Sequence, residues 1–107
     1  MAIDLDRDNY ENETLKSGQP VLVDFWGEQC KPCLALTPAV DKIEDDYSGK
    51  LKVAKVDAPK NRMLCARLRV MSLPTFILYK NGDEYKRLTG ESITAKDIRA
   101  AVEEMFA

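Results

Sequence analysis

The chain is 107 residues long, which suffices for one small domain over residues 1–107 but not for two separate cores. Hydrophobic residues make up 45% of the sequence and charged residues 32%, a balance typical of a folded, soluble protein rather than a disordered one. The net charge of −2 and the lack of a basic block argue against nucleic-acid binding.

The sequence shows neither a membrane-spanning segment nor a signal peptide. No apolar run approaches the roughly 18 residues needed to cross a bilayer. The N-terminal segment 1–10 is acidic and lacks the apolar stretch of a secretory signal. We therefore expect a cytoplasmic protein that does not associate with membranes, although a processed mature chain would have the same features.

The sequence contains three cysteines and no histidine. The lack of histidine excludes a Cys–His nucleophile pair and any zinc site with a histidine ligand, and three thiols are too few for a four-cysteine zinc site. An odd number of cysteines also argues against a framework of structural disulfides. No flavin or nicotinamide site is visible, so we expect neither a metal nor a cofactor.

The N-terminal segment is predicted to form a short strand followed by a helix. Residues 2–5 fit an edge strand, and residues 8–16 fit a first helix. Asp8 is the expected N-cap, because its carboxylate can accept hydrogen bonds from the first helical N–H groups. Gly18 lies just beyond the expected end of the helix, where glycine is common.

The next two segments carry clearer patterns. Residues 20–26 form an apolar run interrupted by Asp24, which is typical of a central strand buried on both faces. Residues 31–47 place apolar side chains along one helical stripe, so we expect a long helix with a kink at Pro38. The stripe consists of Leu36, Val40, Ile43 and Tyr47.

The second half of the chain adds a hairpin and a final helix. Asn81-Gly82 is a strong signal for a two-residue turn between strands. Thr94 and Asp97 have the spacing of a capping box. The predicted elements are a strand over 51–57, a short helix over 60–68, strands over 74–80 and 83–89, and a helix over 95–106. The resulting order, β-α-β-α-β-α-β-β-α, predicts an α/β fold with a parallel sheet covered on both faces and antiparallel strands at its end.

The motif Cys30-Lys31-Pro32-Cys33 lies between the buried strand and the start of the long helix. Disulfide exchange requires a thiolate, and a helix N-terminus favours an anion through its unpaired N–H groups and its dipole. Cys33 follows within the first helical turn, so it can attack a mixed disulfide formed at Cys30, and Pro32 suits a turn where no N–H is needed. The alternatives are a structural disulfide, two inert thiols or part of a metal site. The strand–turn–helix setting favours redox chemistry over these.

Beyond this motif, the sequence resembles the thioredoxin family. The segment VDFWGEQCKPC at 23–33 is similar to the active-site segment of thioredoxins, usually VDFWAxWCGPC. The resemblance continues through Pro38, VAKVD at 53–57, VMSLPTFILYKNG at 70–82 and Thr89-Gly90, and so covers essentially the whole chain. It implies a thioredoxin-like fold, with a central mixed sheet of roughly four or five strands and about four helices.

The resemblance also implies an activity, namely the reduction of disulfide-containing protein substrates by a monomer that a flavin-dependent thioredoxin reductase recharges. Cys30 matches the nucleophile and Cys33 the resolving cysteine. Asp24 matches a buried carboxylate that assists proton transfer, and Lys55 a lysine beside it. The positions expected to bind substrate are Trp26, Lys31, Pro32, Ser72, Leu73 and Pro74, the last matching a cis-proline.

Simpler interpretations exist at several of these positions. A carboxylate within the apolar run should have a raised pKa, as a proton acceptor near neutral pH requires, but Asp24 could instead be half exposed at a strand edge. Lys55 could face solvent, Pro74 could be trans, and Trp26 could serve core packing alone. Cys65 lies outside the motif, and we expect it to be buried as a small hydrophobe rather than exposed to modification.

Three positions depart from the thioredoxin pattern. Gln29 replaces the usual second tryptophan of the docking surface, Lys31 replaces a glycine, and Gly27 replaces an alanine and could loosen the loop. A lysine beside Cys30 should favour the thiolate. These departures support a second hypothesis, a dedicated electron carrier for one enzyme system. A third is a binding module that uses the fold without catalysis.

Overall fold

A mixed β-sheet lies at the centre of the molecule, and the computed structural model describes residues 2–107. Over these residues the strands are β1 (Ile3–Asp4), β2 (Val21–Trp26), β3 (Lys52–Asp57), β4 (Thr75–Lys80) and β5 (Asp83–Thr89). The α-helices over the same residues are α1 (Tyr10–Glu13), α2 (Lys31–Asp46), α3 (Arg62–Arg67) and α4 (Ala95–Phe106). The strands lie in the order β1-β3-β2-β4-β5.

The strand directions confirm the predicted α/β order. β1 and β2 are parallel to β3, whereas β4 is antiparallel to β2 and β5 is antiparallel to β4. The turn between β4 and β5 has positive φ at both Asn81 (55°) and Gly82 (83°), as a two-residue hairpin turn requires. At the start of α4, Asp97 N donates to Thr94 Oγ1 at 3.1 Å and Thr94 N donates to the Asp97 carboxylate at 2.9 Å, which confirms the capping box.

Two apolar cores flank the sheet, and alternate residues of β2 contribute to each of them. α1 and α3 cover the first core with Tyr10 and Leu64. The second core contains Leu22 of β2 under side chains from α2 and α4. These are Leu36, Val40, Ile43, Ile98, Ala101, Val102 and Met105. The buried strand is confirmed, and Asp24, two residues after Leu22, lies on the face of β2 that α2 and α4 cover.

The first helix is shorter than predicted, and its expected boundaries are wrong. α1 spans Tyr10–Glu13, and Asn9 rather than Asp8 precedes it. The Asp6 carboxylate accepts hydrogen bonds from the backbone N–H groups of Asp8 (2.8 Å) and Asn9 (3.3 Å), so a local turn occupies the expected first helical residues. The helix ends at Glu13 with Thr14 as its C-cap, well before Gly18. Tertiary anchoring contributes to the later start, because the Tyr10 ring is buried in the first core.

The predicted helix over 60–68 is present but shorter, and a separate turn precedes it. A single 3₁₀ turn occupies Ala58–Lys60, and α3 follows from Arg62. Pro59 lies at the start of the 3₁₀ turn, where its missing N–H costs nothing because the first N–H groups of a helix have no partner within it.

The long helix α2 is confirmed, with Pro38 inside it. Tyr47 is its C-cap rather than its last residue, and the ring stacks on Phe106 of α4 with centroids 5.2 Å apart. Among residues 2–107, no helix combines the length and apolar character needed to cross a membrane.

Candidate active site

Cys30 and Cys33 form a disulfide at the point where the loop after β2 enters α2. Their Cα atoms lie 5.3 Å apart. Cys30 is the N-cap of the helix, and its Sγ accepts a hydrogen bond from Cys33 N at 3.2 Å. Cys30 is half buried, whereas Cys33 is 3% exposed. A protein substrate can therefore approach the first sulfur, while the second lies behind it.

The N-terminus of α2 favours a negative charge on Cys30. The helix is 16 residues long, and its first turn contains no acidic side chain that would offset the positive end of the dipole. Pro32 lies in that turn, where its missing N–H costs nothing, and Lys31 is exposed beside it. The Cys33 N–H donates to the sulfur atom that would carry the charge in a Cys30 thiolate.

The Leu73–Pro74 peptide bond is cis, as the resemblance implies. Pro74 O accepts a hydrogen bond from Gly90 N at 3.0 Å, which ties the cis-proline loop to the end of β5. Thr75 Oγ1 donates to Ser72 O at 2.7 Å, and Ser72 Oγ lies 3.0 Å from Thr89 Oγ1. These bonds fix the loop that carries three of the expected substrate-binding residues.

Gly27 brings the cis-proline loop against the segment that leads to Cys30. A Cβ atom at Gly27 would lie 3.2 Å from the ring of Pro59 and 3.4 Å from Leu73 Cδ1. The first distance is shorter than ordinary van der Waals contact, so the lack of a side chain allows both neighbours to pack on the Gly27 backbone. The glycine is itself buried, so its role here is close packing.

Asp24 is 3% exposed, so the alternative of a half-exposed strand-edge carboxylate is wrong. Its Oδ1 atom is buried and has no hydrogen-bond partner among the described residues. The pKa of Asp24 is raised from 3.8 to about 7, mainly because burial disfavours the charged carboxylate. Of the neighbouring charges, the cation of Lys55 lowers this pKa and the carboxylate of Asp41 raises it. The raised pKa expected from the sequence is confirmed, and it allows the carboxyl to take up or release a proton near neutral pH.

Lys55 lies next to Asp24 in the sheet. The two residues are paired across β2 and β3, and Lys55 is paired with Asp4 of β1 on its other side. The lysine is half buried, and no ion pair within 4.0 Å is found for it among residues 2–107. The structure thus places Lys55 next to Asp24 in the sheet, but the two side chains do not form a salt bridge.

Sequence reasoning missed Asp41 on α2. The helical pattern places it off the apolar stripe of α2. Its charge nevertheless acts on Asp24, because α2 lies over β2. The signal was absent from the sequence, since helical periodicity does not tell which polar residue of a helix lies nearest a given strand residue.

Trp26 ends β2 at the border of the site. It is half buried, and its indole N–H is enclosed without a hydrogen-bond partner among the described residues. Together with Glu28, Asp57 and Lys60, it lines a surface cavity of about 400 Å³. Trp26 therefore also contributes to the surface beside the active-site loop.

Cys65 is not part of the site. It is a free cysteine of α3, 7% exposed, and lies in the first core. Burial raises the pKa of its thiol, which disfavours the reactive thiolate. The expectation of a small buried hydrophobe is confirmed.

Comparison with known proteins agrees with this geometry. The thioredoxin family model matches residues 1–104. A thioredoxin of Acetoanaerobium sticklandii is 40% identical over 99 residues, covering 92% of this chain and 94% of the relative. A thioredoxin of Rickettsia bellii is 42% identical over 84 residues (78% and 80%), and one of Pseudomonas aeruginosa is 40% identical over 75 residues (70% and 69%).

These relatives do not favour the narrower hypothesis of a dedicated electron carrier. The match extends over the whole fold, and the Cys30–Cys33 pair lies where that family needs it. The chain belongs to the thioredoxin family and is a thiol–disulfide oxidoreductase.

Proposed function

We propose that this protein reduces protein disulfides, with Cys30 as the nucleophile and Cys33 as the resolving cysteine. The Cys30 thiolate attacks one sulfur of the substrate disulfide, and the other substrate sulfur leaves as a thiolate. The Cys33 thiolate then attacks Cys30 Sγ, which releases the second substrate sulfur and forms the Cys30–Cys33 disulfide. The observation that supports this order most directly is the accessible N-cap position of Cys30, with the buried Cys33 bonded to it.

The helix terminus supplies the driving force for ionising Cys30. A charge–dipole interaction and one hydrogen bond to an anion together contribute roughly 2 kcal/mol, which increases the thiolate fraction about 30-fold. The thiolate is the reactive species, so the exchange rate at neutral pH should rise with this fraction, less the loss of intrinsic nucleophilicity.

Asp24 is proposed to accept the proton from Cys33. A buried thiol ionises with difficulty, because its thiolate loses solvation. A carboxyl whose pKa is about 7 exchanges protons readily at neutral pH. In this scheme Lys55 limits how far burial raises the proton affinity of Asp24, since its cation favours the carboxylate.

The substrate is proposed to lie between the start of α2 and the cis-proline loop. Lys31 and Pro32 border the disulfide on the helix side, Trp26 ends β2, and Ser72, Leu73 and Pro74 form the opposite side. The close contact of Leu73 with the Gly27 segment supports this placement. The exposed lysine beside Cys30 would attract acidic groups of a substrate.

Reduced protein is proposed to be regenerated by a flavin-dependent thioredoxin reductase. Each turnover leaves two electrons fewer on the cysteine pair, so a donor must break the Cys30–Cys33 disulfide again. We propose that the protein acts as a monomer in the cytoplasm, in electron transport to disulfide substrates and in cell redox homeostasis.

Reduction of insulin disulfides, coupled to a generic thioredoxin reductase, tests the proposal. The wild-type protein should turn over rapidly, Cys30→Ser should be inactive, and Cys33→Ser should accumulate a mixed disulfide with insulin. Cys65→Ala is the matched control, because it removes the thiol outside the pair. Turnover by Cys30→Ser, or failure of Cys33→Ser to trap substrate, would contradict the proposed roles.

A further inference from the structure

Arg69 has a backbone conformation that arginine rarely adopts. It follows Leu68, the C-cap of α3, and its φ of 58° lies in the left-handed region. The other described residues with positive φ are Asn81 and three glycines. Glycine ordinarily takes this conformation at the end of a helix, because a Cβ atom there approaches the following carbonyl oxygen too closely. Arginine at this position therefore carries a conformational cost that glycine would avoid.

No contact of the Arg69 side chain compensates for this cost. The side chain is exposed, and it forms neither a hydrogen bond nor an ion pair with any of residues 2–107. Only its backbone is held, since Arg69 N donates to Ala66 O at 3.1 Å and Arg87 Nη1 donates to Arg69 O at 3.2 Å. Both carboxylate oxygens of Glu84 bind Arg87, at 2.9 and 3.0 Å. The Arg69 guanidinium is therefore available to a group outside this chain.

Arg69 lies in a basic stretch of a protein that is acidic overall. Residues 58–82 contain five lysines and arginines and no carboxylate, whereas the whole chain has a net charge of −2. Arg67 lines a surface cavity together with Glu11 of α1, so that arginine lies near a carboxylate. Arg69 follows it in the direction of the cis-proline loop. Its unpaired cation favours a negatively charged partner.

The segment after Arg69 leads directly to the active site. Leu73 lies four residues further along the chain and packs against Gly27. The Gly27 carbonyl in turn accepts a hydrogen bond from Cys30 N at 3.0 Å. Four residues of chain span at most about 14 Å. When a substrate disulfide lies at Cys30, the residues that flank it are thus within reach of the Arg69 side chain.

The two residues after Arg69 anchor and extend this surface. Val70 is buried in the first core, and its N–H donates to Cys65 O at 2.9 Å. Met71 is 86% exposed, the highest value for a large apolar side chain among residues 2–107. A charged and an apolar side chain therefore project from a backbone that is already fixed, so the backbone need not be ordered when a partner binds.

We propose that Arg69 determines substrate specificity by binding a carboxylate in the segment that flanks the substrate disulfide, while Met71 contacts an apolar side chain of that segment. This inference rests on the proposed reduction of protein disulfides, and it names the preferred class of substrate: proteins with acidic residues beside an accessible disulfide. A guanidinium binds a carboxylate through two parallel hydrogen bonds. The contact forms before any sulfur reacts, so its loss should raise KM and leave kcat unchanged.

Two disulfide peptides of equal length test the proposal, one with glutamates and one with glutamines on both sides of its cysteines. In a reductase-coupled assay, Arg69→Gln should lower kcat/KM about threefold for the glutamate peptide and leave the glutamine peptide unaffected. The difference should shrink at high salt, which screens an exposed ion pair. Arg69→Lys keeps the charge and should retain most of the preference. Lys31 is present in every variant, so the comparison isolates Arg69.

Arg67→Gln is the matched control, because it makes the same change in net charge two residues away and beside α1. It should leave the ratio between the two peptides unchanged. An equal loss on both peptides, no loss on the glutamate peptide, or the same change in Arg67→Gln overturns the proposal. In each of these cases reduction of the glutamine peptide by the wild type leaves the oxidoreductase function standing. If the wild type reduces neither peptide, the proposed function fails and this inference fails with it.

Arg69→Gly tests the conformational argument with the same assay and with urea unfolding. Relief of the left-handed conformation should outweigh the extra freedom of glycine in the unfolded chain, so the equilibrium constant for unfolding should fall about threefold. The same variant should lose the preference for the glutamate peptide. A glycine variant no more stable than wild type contradicts the conformational cost, and one that keeps the preference overturns the role in specificity.

Discussion

Replacing Asp24 by asparagine should stabilise the oxidised protein at alkaline pH while slowing disulfide exchange. The carboxyl is 3% exposed, and burial raises its pKa from 3.8 to about 7. A carboxyl whose pKa is higher in the folded state binds its proton more tightly there than in the unfolded chain. Its contribution to stability is fully present below pH 3.8 and is lost as the pH rises through about 7.

The magnitude follows from the two pKa values. Between 3.8 and about 7 the free energy of unfolding should fall by about 4 kcal/mol on account of this group. Between about pH 5 and about pH 8.5 the loss is about 3 kcal/mol, because part of the total loss has already taken place below pH 5. Asparagine does not ionise, so Asp24→Asn should escape this loss. The amide adds an unpaired buried donor that costs about 1–3 kcal/mol at either pH, so the change between the two pH values is the informative quantity.

Urea unfolding of the oxidised proteins, followed by fluorescence at about pH 5 and about pH 8.5, measures this change. The stability of Asp24→Asn minus that of wild type should increase by about 3 kcal/mol between the two conditions. Glu103→Gln, an exposed carboxylate on α4, is the control and should show no such increase. A change below about 1 kcal/mol for Asp24→Asn would refute the argument that burial dominates the ionisation of this group.

Three further substitutions test the packing and charges around the site. Gly27→Ala should destabilise the protein by about 1–3 kcal/mol in urea unfolding, because its Cβ would lie 3.2 Å from a proline ring, whereas Gly18→Ala, with open space around it, should not. Tyr10→Phe should cost about 1–3 kcal/mol, since it removes the 2.7 Å hydrogen bond to Tyr79 and leaves that buried hydroxyl unpaired; a loss below about 0.5 kcal/mol would contradict this. Lys31→Gly should lower the redox potential by roughly 10 mV in glutathione equilibration, because an exposed cation stabilises the thiolate only weakly; an unchanged potential would remove the lysine from the account.

The features predicted correctly from the sequence are those with local causes. The turn at Asn81-Gly82 requires two positive φ values, which these residues tolerate. The capping box at Thr94 depends on a spacing of three residues. The Cys30–Cys33 pair is placed at the start of a helix because it follows a buried strand and precedes an apolar stripe with helical spacing. Pro32 also suits the first turn of a helix. Each of these patterns can be read without knowledge of distant parts of the chain.

The features missed depend on tertiary neighbours. α1 is shorter than its sequence suggests, because burial of Tyr10 and a turn at Asp6 decide where it begins. The close packing at Gly27 requires knowledge that two loops meet there. The influence of Asp41 on Asp24 requires knowledge of which turn of α2 covers which residue of β2. Periodicity gives the buried face of an element, but it does not give the partner that covers it.

The location of Asp24 explains why an energetically costly residue belongs in the centre of the sheet. A proton acceptor for a buried thiol must itself be shielded from water, since a solvated carboxylate has a pKa near 4 and holds protons too weakly at neutral pH. Shielding a carboxylate costs stability, which the apolar side chains on both faces of β2 offset. The neighbouring charges then adjust the proton affinity within the range that burial has set. Exchange at neutral pH and lower stability above neutral pH are therefore two consequences of the same buried group. The asparagine variant should show slower exchange together with greater stability at alkaline pH.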